Sequence, residues 1–99
     1  MLCLCACAGP RPQVVTQHLE APRTAEAPYV LTATIRNNGR GDGQVEAVAR
    51  LVSKATRETV AQSTQDFELR GYESLQVVFR FEGAPVGDYA VTVEARYPP

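Results

Sequence analysis

Apolar and polar side chains take turns along this chain with a period of two, and that rhythm limits what it can fold into more than any other feature. Tyr29, Leu31, Ala33 and Ile35 alternate with Val30, Thr32, Thr34 and Arg36. Val45, Ala47, Ala49 and Leu51 alternate with Glu46, Val48, Arg50 and Val52. Leu75, Val77, Phe79 and Phe81 are set against Gln76, Val78, Arg80 and Glu82; Tyr89, Val91, Val93, Ala95 and Tyr97 are set against Ala90, Thr92, Glu94 and Arg96. Successive side chains of a strand point to opposite faces, so each stretch predicts a strand with one apolar face. A single helix over Val45–Ala61 competes, because Ala, Glu and Arg favour helices. The i, i+2 pattern and the β-branched Val52, Thr56, Thr59 and Val60 weigh against it.

Two weaker segments complete the set. Gln13–Leu19 alternates poorly, which suits an edge strand. Thr59–Gln65 continues into Phe67 and Leu69, an apolar pair expected to point inward. Between the strands lie turn-forming stretches: Glu20–Pro28, Ser53–Glu58, Arg70–Glu73 and Gly83–Asp88. Asn37-Asn38-Gly39 supplies residues that tolerate positive φ, where the strand before it must stop or turn. Strands recurring about every ten residues predict an all-β chain, an immunoglobulin-like antiparallel β-sandwich of about seven strands. Ile35, Leu51, Phe79, Phe81 and Val91 are its expected central residues. A length of 99 residues makes residues 13–99 one domain with a thin core. The cysteines are Cys3, Cys5 and Cys7, so that core must hold without an internal disulfide.

Ile35-Arg36-Asn37-Asn38-Gly39, Leu69-Arg70-Gly71-Tyr72-Glu73-Ser74 and Gly87-Asp88-Tyr89 occur in the order strand end, turn before an aromatic-rich strand, and opening of the last strand. This arrangement resembles bacterial immunoglobulin-like modules of the CARDB type and the related FxLYD type, over roughly residues 13–97. The resemblance implies an extracellular or envelope module that binds or spaces other components and is not a catalyst. Gly87-Asp88-Tyr89 also fits a tyrosine corner, in which the Tyr89 phenol bonds backbone upstream.

The first 12 residues, MLCLCACAGPRP, are apolar, then small, then proline-bearing. Leu4-Cys5-Ala6-Cys7 resembles the lipobox of a bacterial lipoprotein signal, which would make Cys7 the lipidated first mature residue. Six residues before Cys7 are fewer than a secretory apolar segment of about 7–15 needs, and no basic residue precedes it. A start upstream of Met1 or a shortened leader would reconcile the two. Cysteines at i, i+2 and i+4 could also meet on one metal, although zinc sites use wider gaps and a second cluster. An inert apolar tail is the third reading. With Cys7 lipidated, residues 8–13 could span at most about 20 Å, so the domain would sit close to the membrane.

Charge decides several classes. Lys+Arg number 10 and Asp+Glu 11, and this balance argues against a nucleic-acid partner. The chain carries no Ser/His/Asp order, nucleophile elbow, phosphate-binding glycine loop or metalloprotease helix, so a non-enzyme is expected, with no cofactor. His18 reads as a solvated rim residue. Arg40-Gly41-Asp42 spells an adhesive tripeptide, although a plain hairpin turn accounts for it. Asp42 and Asp88 could share a Ca²⁺ only with far more oxygen ligands than their loops hold. Candidate binding residues are Tyr72 and Tyr97, each read as rim packing or part of a patch, with Arg40 and Asp42. Together these residues predict a non-catalytic envelope lipoprotein module, lipid-anchored through Cys7, whose partner is an envelope protein and not a small molecule. A secreted module binding carbohydrate or another surface polymer is the alternative.

Overall fold

A computed structural model describes residues 9–24 and 26–98. It contains β1 (Pro12–Glu20), β2 (Tyr29–Asn37), β3 (Gly43–Ser53), β4 (Thr59–Leu69), β5 (Ser74–Phe81) and β6 (Tyr89–Arg96), with no helix among the described residues. They form two three-stranded antiparallel sheets, β1-β2-β5 and β4-β3-β6. β1 lies over β6 and β5 over β4, so the molecule is a β-sandwich with β2 and β3 in the middle. The strand count is six and not the expected seven. The described residues between β1 and β2, which include Pro22 and Pro28, form no further strand.

The rhythm of two is realised directly. Tyr29, Leu31, Ala33 and Ile35 of β2 and Val45, Ala47, Ala49 and Leu51 of β3 are almost completely buried, as are Leu69, Phe79 and Phe81. They form one continuous core cluster. Val91, expected at its centre, is half-buried because β6 has a neighbour on one side alone. Val48 is buried although it points out of the core. Glu94 and Thr64 are its neighbours on the two flanking strands. Beside it Arg96 pairs with Glu46 at 2.7 Å, and this hydrogen bond, then the carboxylate charge, holds the guanidinium in its charged form.

Tyr29 and Tyr89 meet edge to face, with ring centroids 5.2 Å apart. The Tyr89 hydroxyl donates to the Pro85 carbonyl at 2.6 Å, the upstream backbone bond expected of a tyrosine corner. The Tyr29 hydroxyl donates to Gly87 O and accepts from Gly87 N, so the two phenols together fix the β5–β6 loop.

At the other end the chain does not turn as expected. None of Asn37, Asn38 and Gly39 has positive φ; among the described residues those that do are Arg57, Tyr72 and Gly83. Asn37 instead continues the inward-facing series of β2 and is fully buried. Its Oδ1 accepts from Arg11 N at 2.9 Å and Gly39 N at 2.8 Å. Its Nδ2 donates to Gly41 O at 2.8 Å and Arg70 O at 3.0 Å. One carboxamide thus satisfies backbone from three separate segments. Gly9–Pro12, expected as tether, belong to the packed structure: Pro10 is buried, and Arg11 exchanges bonds with Asn37 and Asn38.

Replacing Asn37 should therefore cost more than its size suggests. Asn37→Ala strands two backbone donors and two acceptors, each worth about 1–3 kcal/mol when buried and unpaired. With partial rescue by water, a loss of about 3 kcal/mol or more is expected in urea unfolding. Asn37→Asp should be no better, because it turns an acceptor toward the Gly41 and Arg70 carbonyls. A loss under about 1 kcal/mol for both would show that this carboxamide does not organise the end of the sandwich.

Candidate functional site

The Asn37 end of the molecule carries four of the sequence-predicted residues, Arg40, Asp42, Tyr72 and Tyr97. Two backbone segments meet there, the β2–β3 loop and the β4–β5 turn. Arg70–Glu73 closes on itself, with Glu73 N–H donating to Arg70 O and Arg70 N–H donating to the Glu73 carboxylate, each at 3.0 Å. Positive φ at its third residue with an i to i+3 bond makes it a type II-like turn, where glycine is favoured third. Here glycine is second and tyrosine third. A Cβ on Gly71 would collide with the carbonyl of Arg40, so glycine is needed there for close approach. The left-handed position falls to Tyr72, at φ 60°.

A bulky aromatic in that region carries backbone strain of about 1–2 kcal/mol. Two bonds hold the turn in place: Tyr72 N–H donates to Gly39 O at 3.0 Å, and Gly71 N–H donates to Asp42 Oδ1 at 2.8 Å. The Tyr72 side chain gains little from the fold in return, being 64% exposed. It lines a cleft of about 370 Å³ with Gly9, Arg11, Gly39 and Arg40. Arg11 and Arg40 are both exposed, and among the described residues neither has a carboxylate within ion-pair distance. The result is an open, cationic hollow with one aromatic wall. It suits a carboxylate, phosphate or acidic side chain laid against a ring.

The other candidates are placed differently. Asp42 spends its carboxylate on Gly71, so it acts as a staple between loops. Tyr97 stands at the same end, but its ring lies over Gly9 and Gly43, where an added Cβ would strike it. It therefore clamps the N-terminal segment and does not line the cleft. Cys7 lies outside the described residues. Asp42 and Asp88 lie at opposite ends of β3, and Asp88 pairs with Lys54 at 3.5 Å. His18 is exposed on β1. Arg11 was not foreseen as a site residue. Its signal lay in the Asn37 position, which the alternation turns inward and which needs backbone partners.

A second hollow, of about 650 Å³, opens at the far end between the β3–β4 turn and the β5–β6 loop. Ser53, Lys54, Glu58, Val60, Val86 and Asp88 line it, and Val86 is 73% exposed. Its one ion pair is already closed between Lys54 and Asp88.

No family model and no curated protein matches the chain. Among solved structures, one described as the structure of a beta-glucuronidase from glycoside hydrolase family 2 is similar, at 14% identity and a TM-score of 0.65. The match takes in 81% of this chain and 9% of that one, so the chain spans a small part of that enzyme's length. At this identity the likeness is one of fold: an all-β sandwich that also occurs as a portion of a larger protein.

The strain at residue 72 is directly measurable. Tyr72→Gly removes the ring and the left-handed penalty together, and should leave unfolding free energy unchanged or raise it by up to about 1 kcal/mol. Gly71→Ala should lower it by more than 1 kcal/mol, through the clash with Arg40. A Tyr72→Gly variant destabilised by about 2 kcal/mol or more would make the ring a packing element after all.

Proposed function

We propose that this chain is a non-catalytic interaction module of the bacterial cell envelope, of the CARDB or FxLYD immunoglobulin-like kind, anchored by lipid at Cys7. The observation that carries the reading is the strained, exposed Tyr72 beside Arg11 and Arg40. Backbone strain at an exposed aromatic does nothing for folding, and such strain collects at sites kept for binding. Tyrosine and arginine are also the residues that dominate protein–protein contact energies.

The anchor gives the module an orientation. Cys7 stands two residues before Gly9, which lines the cleft, so the lipid would lie within about 7 Å of chain from the site. The cleft end would face the headgroups, and a partner gripped there would itself be an envelope protein at the membrane surface. The β-glucuronidase aligned over 9% of its length brings no activity to this chain; it supports the idea of a sandwich used as a part.

A second reading has its own observation. Two exposed arginines beside a tyrosine also suit an acidic surface polymer, whose carboxylates pair with guanidinium while sugar rings stack on the phenol.

In cells, Cys7→Ala should move the protein from the membrane to the soluble fraction, and unchanged fractionation would remove the anchor from the account. A photo-crosslinking residue at position 72 should capture one defined protein species, and Arg11→Glu with Arg40→Glu should abolish the capture while leaving Tm within a few degrees. Crosslinks to acidic glycan and none to protein would select the second reading.

A further inference from the structure

Two carboxylates stand next to the Tyr72 cleft in the chain, and neither neutralises its arginines. Asp42 comes two residues after Arg40, and Glu73 directly follows Tyr72. The fold spends both on backbone. Asp42 Oδ1 accepts from Gly71 N–H at 2.8 Å, and Glu73 Oε1 accepts from Arg70 N–H at 3.0 Å. Among the described residues no carboxylate stands within ion-pair distance of Arg11 or Arg40. Two cations are thus left open while the anions nearest them in sequence are tied down elsewhere.

The same cleft has little backbone to offer an anion. Gly9, Arg11, Gly39, Arg40 and Tyr72 line it. The N–H groups of Arg11 and Gly39 both donate to Asn37 Oδ1, and the N–H of Tyr72 donates to Gly39 O. Phosphate sites are commonly built from several free N–H groups converging from a loop or a helix end. Here three of the five are already spent, so the guanidinium groups are the donors that remain. A guanidinium fork meets a planar carboxylate with two parallel bonds. The cleft, of about 370 Å³, has room for more than a bare anion, and its aromatic wall is the exposed ring of Tyr72. That ring gives an apolar stem a surface to lie on.

We infer that the cleft takes a carboxylate, held by Arg11 and Arg40, with the carbon frame that bears it lying on the Tyr72 ring. This deepens the reading of the cleft as the contact site of the module, and rests on that reading. One chemistry has two sources here: an acidic side chain of a protein, or a uronic acid of a surface polymer. Both present a carboxylate on a short carbon frame, and both meet the same three side chains. Arg11 is placed for this by its backbone, whose N–H and carbonyl are bonded by Asn37 and Asn38. Its side chain can therefore be exchanged without releasing the N-terminal segment.

Calorimetric titration of the full chain, with its cysteines kept reduced and at physiological ionic strength, tests this with hexaglutamate, hexagalacturonate and inorganic phosphate. At least one carboxylate probe should bind with a Kd below about 1 mM, and phosphate should bind at least about tenfold more weakly. Hexaglutamine and methyl-esterified hexagalacturonate keep the frame without the charge and should not bind. Arg11→Gln and Arg40→Gln should each weaken binding by about tenfold, and Tyr72→Ala by about threefold, with Tm unchanged in the arginine variants. Arg57→Gln is the control for charge alone. Arg57 is exposed in the β3–β4 turn at the other end of a molecule 55 Å long, whereas a six-residue probe spans about 20 Å. That variant should change Kd by less than about twofold.

Four outcomes overturn the carboxylate: neither carboxylate probe binds, phosphate binds as tightly as they do, the neutral probes bind equally well, or Arg57→Gln weakens binding as much as Arg40→Gln. Which carboxylate probe binds more tightly identifies the source. Capture at position 72 is read separately. A captured protein with no probe binding keeps the contact site and removes the carboxylate, whereas probe binding with no captured protein keeps the carboxylate and removes the protein partner.

Discussion

The Asn37 carboxamide is the interaction on which one whole end of this molecule depends. A sandwich core is apolar, and an amide placed in it without partners would cost several kcal/mol. Asn37 meets all four of its bonding requirements with backbone from the N-terminal segment, the β2–β3 loop and the β4–β5 turn. None of those segments has much apolar surface of its own. Each is tied to the same buried polar group, with Tyr97 and Asp42 adding their own holds. The N-terminal segment, fixed this way, brings Arg11 beside Arg40, and the turn fixed this way carries Tyr72. The cleft beside Tyr72 is a consequence of satisfying one side chain.

The opposite end solves the same closing problem with different chemistry. Tyr29 and Tyr89 pack edge to face, and their hydroxyls hold Gly87 and Pro85. Aromatic rings bring burial and a polar tip together, so a loop can be fixed there without a fully buried amide. The hollow at that end is larger, yet its one cation is already answered: Lys54 pairs with Asp88 and also donates its N–H to the Asp88 carbonyl. Size alone would favour it as a site. Unpaired cations and a strained aromatic favour the Asn37 end.

Much of this was legible in the sequence. Four of the six strands follow from the period of two, β1 and β4 being weaker, and Leu69, Phe79 and Phe81 fall inward. The tyrosine corner at Tyr89 could be read from Gly87-Asp88-Tyr89 alone. What could not be read was how polar groups share partners across distant segments. Asn37-Asn38-Gly39 has the composition of a positive-φ turn, and tertiary bonding overrode that local preference. Gly71-Tyr72 has the composition of a turn with glycine in the left-handed place. A carbonyl from a loop some thirty residues earlier in the chain decided which of the two took it. Local chemistry names the turns, while contacts of long range choose their geometry.

The strand count bears on what kind of module this is. With six strands, each sheet has one central strand and two edges, so most of the ladder-forming backbone sits at a border. A small sandwich of this kind cannot hide its edges by closing, as a barrel does. It has to guard them one at a time. Gln65 guards one side with help from inward Ser63, while at the other Gln17 makes a single exposed bond to Val91. Both glutamines reach across from one sheet to the other, so the guard on each edge depends on the two sheets staying in place. A chain that leaves β6 so thinly guarded, and that strains Tyr72 at the surface, keeps its unsatisfied chemistry on the outside.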